Sequence, residues 1–247
     1  MRAPWLGDVL RDAGLTVATP AGNPVGQGRD MDTIYGVVGH DTVTSQAWAD
    51  LSVARMLRNG HANLSGPLYQ LGVRRNGTVD WIADGRCNHN GHGLWGNDAI
   101  GIGVYCNGGA NPNEPWNLQQ RDTVVVATRA ILDHLGLGPS SYFNPRLAGH
   151  KETDQGRKQD PFGIDMAAVR RDVDLLAQIP DEDDDMTPEQ AKLLADTAAA
   201  VSRIEQTLEG RNVGNDLARL RRSVRQIGVK LGIPVRDGLE PTGEVDA

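Results

Sequence analysis

An α/β fold, with a mixed central sheet flanked by helices and a small C-terminal helical region, is the class this chain predicts. Three features carry that expectation. Short apolar runs rich in β-branched residues alternate with stretches whose apolar residues recur at helical spacing. An Asn-Gly dipeptide joins two strand-like segments, and the composition breaks sharply after residue 178.

In order along the chain, Thr33-Ile-Tyr-Gly-Val-Val-Gly39 reads as a buried strand with His40 at its end. Residues 45 to 58 place Trp48, Leu51 and Met56 at helical spacing, which predicts a helix. Residues 68 to 74 and 78 to 83 flank Asn76-Gly77, a dipeptide that tolerates the positive φ angles of a tight hairpin, and this puts Tyr69 on a strand. Ala99-Ile-Gly-Ile-Gly-Val-Tyr-Cys106 reads as a central strand. The clearest helix covers residues 117 to 136: Val124, Val125, Ala127, Ile131 and Leu135 fall largely on one face, and Gly136 offers a C-terminal cap. Met166, Val169, Val173 and Leu176 recur at three and four residues, giving a final packing helix that closes a domain of residues 1 to 178.

Pro180 and the acidic run Asp181-Glu-Asp-Asp-Asp185 repel themselves into a solvated linker over residues 179 to 186. A helical region over 187 to 233 follows, opened by Thr187 as N-cap and Pro188 at the first helical position. Val201, Ile204 and Leu208 continue it, and Leu217, Leu220, Val224, Ile227 and Leu231 form a second stripe in steps of three and four. The phase slips between the two runs, so two helices or one helix with a stutter are expected. Burial of the stripe is open to three partners: a hairpin, a second copy in a homo-oligomer, or a separate target. The tail, 234 to 247, is expected to be disordered.

With 247 residues, 39% hydrophobic and 23% charged, the chain can fill one domain and a smaller appendage. A net charge of −7 argues against nucleic acid as a partner. No apolar run approaches the about 18 residues of a membrane span, and Met1-Arg-Ala-Pro-Trp-Leu-Gly-Asp8 lacks the apolar core of a signal peptide, so cytoplasmic synthesis is expected. Two cysteines, Cys87 and Cys106, are too few for a disulfide framework and read as structural, with their pairing left open.

Chemistry concentrates in Gly149-His-Lys-Glu-Thr-Asp-Gln-Gly-Arg-Lys-Gln-Asp-Pro161. His150 and Asp160 can share a metal, and Lys158 puts a cation beside it, a combination that suits hydrolysis. An open catalytic zinc site needs a third protein donor. Of the six histidines, His40 stands out, because a strand end fixes its backbone.

His40-Asp-Thr42 after a strand, Tyr69 ahead of Arg75-Asn-Gly-Thr-Val79, and His150 followed by Lys158 and Asp160 resemble the zinc amidases that include phage lysozyme-amidases and peptidoglycan recognition proteins. The resemblance covers about residues 1 to 175, and Arg157-Lys-Gln-Asp-Pro161 is its most specific part. Many members carry His-His-Thr or a similar triplet where this chain has His40-Asp41-Thr42, and some use a cysteine where this chain has Asp160. The resemblance implies that His40, His150 and Asp160 hold Zn²⁺ and that Lys158 and Tyr69 are catalytic. The reaction it implies is attack by zinc-activated water on the amide between N-acetylmuramic acid and the stem-peptide L-alanine. It also implies a phage endolysin that reaches bacterial peptidoglycan after membrane breach, with His89 in contact with substrate; Asn97, just before the central strand, is positioned for contact with the same groove. His92 reads as a loop residue, and His61 and His134 as surface or helix-cap residues. A non-catalytic peptidoglycan-binding module of the same fold, or a structural protein assembled through its C-terminal stripe, are the alternatives.

Overall fold

A computed structural model describes residues 1–61, 63–107, 114–138 and 146–176. The chain divides into one unit of Met1–Ala177 and another of Gln178–Ala247. The acidic linker, helical region and tail expected beyond residue 178 lie outside the described residues.

The first unit runs α1 (Leu6–Asp12), β1 (Val17–Ala18), β2 (Val37–Asp41), α2 (Asp50–Asn59), β3 (Gly60–His61), β4 (Leu64–Ser65), β5 (Leu71–Val73), β6 (Val79–Trp81), β7 (Ile100–Val104), α3 (Leu118–His134), β8 (Leu147–Gly149), α4 (His150–Thr153) and α5 (Met166–Leu176). Six strands form one sheet in the order β1-β6-β5-β7-β2-β8, and β3 pairs with β4 apart from it. All neighbours in the large sheet are parallel except β5 and β6, so the sheet is mixed, as the alternation of elements predicts. β2 and β7 are buried along their whole length, the state of interior parallel strands covered on both faces.

One apolar cluster joins Val37, Ile100, Ile102 and Leu147 of the sheet to Leu6 and Leu10 of α1, Val124 and Ile131 of α3, and Val169 and Val173 of α5. A smaller cluster sets Val53, Ala54 and Leu57 of α2 against Ile82 and Tyr105. Asn117 starts α3 with a reciprocal cap: its side chain accepts from Gln120 N–H at 2.9 Å, and Gln120 Oε1 accepts from Asn117 N–H at 3.1 Å.

Several elements differ from expectation for physical reasons. β2 begins only at Val37, where pairing with β7 and β8 begins, and it runs through His40, which is therefore inside the strand. The helix expected over 45 to 58 starts at Asp50 and buries Val53, Ala54 and Leu57. Trp48 lies ahead of it at 47% exposure and Leu51 is on its outer side at 40%. In the hairpin, Arg74 N–H donates to Thr78 carbonyl at 2.9 Å and Gly77 supplies a φ of 80°. Tyr69 precedes β5 instead of lying on it. Cys87 and Cys106 are buried free thiols, and burial pushes both up in pKa, so neither is a reactive thiolate.

Candidate metal centre

Register builds the site. β2 pairs with β8 so that Gly39 lies beside Gly149, which makes His40 and His150 the next residues along two neighbouring segments. The chain turns into α4 at that point, with Gly149 as N-cap and its N–H donated to the Glu152 carboxylate at 2.9 Å. Asp160 is returned to the same place by the following loop. Lys151 N–H donates to the Asp160 carbonyl at 2.7 Å, and the Lys151 ammonium donates to the carbonyls of Pro161 and Ile164, each at 2.8 Å. Pro161 lies close enough to Gly149 that a Cβ there would stand 2.8 Å from its Cδ.

Ligand atoms of His40, His150 and Asp160, all buried, lie within 4.8 Å of one another. The Asp160 carboxylate is 3.2 Å from His150 Nδ1 and 3.3 Å from His40 Nδ1. The second approach is a charge contact without hydrogen-bond direction, since His40 Nδ1 is buried with no hydrogen-bond partner. An open ring nitrogen facing an imidazole and a carboxylate fits a divalent ion, and two histidines with one carboxylate are a known donor set of open catalytic zinc sites.

Electrostatics agree with ligation. Burial lowers the His40 pKa to about 4, so its ring is neutral at neutral pH. Burial also pushes the Asp160 carboxyl up, but the His150 hydrogen bond and the close approach of both imidazoles outweigh it and hold the group well below the usual carboxylate range. Tyr69 is raised above the ordinary phenol value, first by burial and then by the charges of Asp160 and Asp41. It remains a phenol.

The cluster opens on a cavity of about 190 Å³ lined by His150, Asp160, Tyr69, Lys158, His61 and Leu64 among others. The Tyr69 ring centroid is 4.9 Å from that of His40. Lys158 is exposed, and its N–H donates to Asp154 carbonyl at 3.1 Å in a turn whose Asp154 carboxylate accepts from Arg157 at 2.7 Å. Lys158 lines the same cavity as His150 and Asp160.

The two residues expected to contact substrate sit differently. His89 touches the cavity but is buried, with Nδ1 3.0 Å from His40 Nε2 and Nε2 3.1 Å from Ala99 carbonyl. Asn97 uses its side-chain oxygen to accept the N–H groups of His89 at 3.0 Å and Asn90 at 2.7 Å, so it organises the loop behind the cluster and does not line the cavity. His92 is exposed on its loop, and His134 stacks on Trp5 at 4.0 Å.

Sequence reasoning missed other parts. His61 and Leu64 bring the β3–β4 hairpin to the cavity. Asp41 accepts from Trp116 Nε1 at 2.7 Å and from Phe162 N–H at 2.8 Å, which latches the end of β2 to the loop carrying Asp160. Burial raises its pKa to about 6 against those two hydrogen bonds. In β7, a Cβ at Gly101 would stand 2.9 Å from His89 Cγ and one at Gly103 would stand 2.6 Å from Tyr69 Cδ2. Glycine at alternate positions of a strand signals close approach, and here it lets two rings lie against the sheet.

An α/β domain that gathers two histidines, an aspartate and a nearby cation at the ends of parallel strands has the parts of a metal-assisted hydrolase. The chain matches the N-acetylmuramoyl-L-alanine amidase family over residues 30–163, and it belongs to that family. No curated protein matches it. Among solved structures it is similar to Drosophila peptidoglycan recognition protein SD, with 19% identity, a TM-score of 0.47, and 64% of this chain and 94% of that chain covered. It is also similar to the endolysin amidase LysCS from Clostridium intestinale, with 18% identity, a TM-score of 0.39, and 64% and 93% covered. A third is the Ph2119 endolysin from Thermus scotoductus bacteriophage Ph2119, with 17% identity, a TM-score of 0.38, and 57% and 85% covered.

Proposed function

We propose that this chain is a zinc-dependent N-acetylmuramoyl-L-alanine amidase that hydrolyses the amide between N-acetylmuramic acid and the stem-peptide L-alanine of bacterial peptidoglycan. The observation that carries the reading is the gathering of His40, His150 and Asp160, with one ring nitrogen of His40 open, at a cavity lined by His150, Asp160, Lys158 and Tyr69. His40, His150 and Asp160 would hold Zn²⁺, which when bound supplies Lewis acidity and lowers the pKa of water towards about 7.

Lys158 presents a cation to the lactyl carbonyl oxygen as negative charge grows there, and a preorganised donor in that role contributes about 10² to 10³ in rate. Tyr69 keeps its proton, so it donates a hydrogen bond that orients the attacking water or the scissile amide. Asp41 and Lys151 hold the loop that carries Asp160. The products are a muramic acid carboxylate and a stem peptide with a free L-alanine amine.

Digestion of purified peptidoglycan followed by mass spectrometry tests this. Stem peptides beginning with free L-alanine are expected, whereas new reducing sugars or cuts inside the peptide sink the reading. Lys158→Ala should lower turnover by about 10² to 10³ and leave zinc bound. The endolysin role is part of the same proposal and is supported by the resemblance to phage amidases. Cells expressing the chain should stay intact until their membrane is permeabilised and then clear, and turbidity that persists after permeabilisation counts against it.

A further inference from the structure

We infer that His89 is a positioning residue that fixes which nitrogen His40 turns towards the metal, by holding His40 in its Nε2–H tautomer. The inference rests on the metal-centre reading above and adds a role to a residue otherwise expected to touch substrate.

The argument follows hydrogens along one chain of contacts. Ala99 carbonyl, 3.1 Å from His89 Nε2, can only accept, so that nitrogen carries the hydrogen. His89 is buried at 8% exposure, and the hydrogen-bond partners of its two ring nitrogens are the Ala99 carbonyl and His40 Nε2, neither of them a carboxylate. A second hydrogen would make it an unpaired buried cation. His89 is therefore neutral, and its Nδ1 is an acceptor. His40 Nε2, 3.0 Å away, must donate to it. A neutral imidazole has one hydrogen, so His40 Nδ1 is left with a lone pair. That is the nitrogen that is buried without a partner and stands 3.3 Å from Asp160.

Without His89 the opposite tautomer becomes favourable, because Asp160 is a strong acceptor beside Nδ1 and would draw the hydrogen there. A ligand nitrogen carrying a hydrogen cannot bind a metal until that hydrogen leaves. Such outer partners of ligating histidines are typically worth about 10- to 100-fold in metal affinity. Gly101 belongs to the same device. The ring of His89 occupies the space where any side chain at 101 would begin, with a Cβ there 3.0 Å from Nδ1.

Two measurements on the chain of 247 residues test this. In the metal-free protein, long-range ¹H–¹⁵N NMR of the imidazoles should show His40 as the Nε2–H tautomer, and finding Nδ1–H overturns the inference. Zinc affinity by chelator competition should be about 10- to 100-fold weaker in His89→Phe than in the parent. Equal affinities with an unchanged His40 tautomer also overturn it. If the parent itself takes up no zinc, the metal-centre reading fails while the tautomer result stands by itself. If His89→Phe does not fold, the parent's NMR tautomer and the zinc affinity of Gly101→Ala, which crowds the same ring, decide the matter.

Discussion

Two buried carboxylates on this sheet, Asp80 and Asp160, keep very different company. Arg74 grips Asp80 through Nε at 3.1 and 3.0 Å and through Nη2 at 2.7 Å, and the Tyr105 hydroxyl donates to it at 2.7 Å. No atom of those three side chains is buried without a partner. Asp160 instead faces two imidazoles, one of which has an unmatched nitrogen. A closed polar cluster fastens β5, β6 and the end of β7 to one another, whereas an open one reserves a valence for something from outside. The comparison teaches that burial and charge do not by themselves mark a functional site, since both clusters have them. What sets the open cluster apart is three ligand-type side chains gathered around that unmatched nitrogen.

The largest test removes Asp160. Asp160→Ala is expected to abolish stoichiometric zinc and to lower hydrolysis by about 10³ or more. The melting temperature of the metal-free protein should fall, because His150 loses the carboxylate it is paired with, but by less than in Asp80→Ala, where three contacts from Arg74 and one from Tyr105 are lost. A large loss of metal-free stability would show that Asp160 fastens the fold as Asp80 does.

Asp80→Ala should invert that pattern. Arg74 and Tyr105 lose their shared partner, and breaking a buried pair from one side costs about 3 to 5 kcal/mol. Urea unfolding should report that loss, while zinc affinity of the folded protein is unchanged. A cost below about 1 kcal/mol would demote the cluster to a surface-like pair.

The two clusters also differ in how far the sequence discloses them. His40, His150 and Asp160 were legible because metal ligands come from few residue types, and because Lys158 and Asp160 lie in one short segment. Arg74, Asp80 and Tyr105 sit in ordinary strand patterns, and only the pairing of Gly72 with Asp80 and of Gly72 with Gly103 brings them together. Pairing is set by tertiary packing and is not local information. α1 escaped notice because it is seven residues long with no side-chain cap, and it is held by Leu6 and Leu10 packing into the core. Trp48, counted with Leu51 and Met56 at helical spacing, lies outside α2, whose buried face is built from Val53, Ala54 and Leu57. The contact of His89 with His40 is not legible in the sequence, because nothing local shows that Gly101 makes room for its ring.

Asp41 is an intermediate case, a carboxylate beside the open cluster that is itself fully engaged by two N–H donors. Asp41→Asn puts an amide –NH₂ against one of those donors, so a buried donor loses its acceptor at about 1 to 3 kcal/mol. Chemical denaturation should show that loss together with weaker zinc binding, since the loop holding Asp160 is released. Weaker zinc without lost stability would mean that Asp41 acts on the metal directly.

The smallest effect is the tilt of stability with pH, and the clusters tilt at opposite ends of the scale. The folded His40 refuses, down to about pH 4, a proton that the unfolded chain accepts at 6.5. Its contribution is therefore complete above 6.5 and is lost as pH falls towards 4. His89, also lowered by burial, acts in the same sense. Asp41 opposes them: its pKa is raised from 3.8 to about 6, so its contribution is complete below 3.8 and is lost as pH rises through 6. Two histidines against one aspartate should leave the chelated protein less stable at pH about 5 than at about 7. Tyr105 belongs to the closed cluster and is raised above 10.0 by burial and by Asp80, so its contribution is complete below 10.0 and is lost as pH rises past it. Thermal unfolding of metal-free protein across this range should show both slopes. His40→Gln should flatten the acid slope alone, and Tyr105→Phe the alkaline slope alone. If His40→Gln leaves the acid slope intact, His40 is not the group that refuses the proton, and its Nδ1 is no longer shown to be the neutral donor that a metal requires.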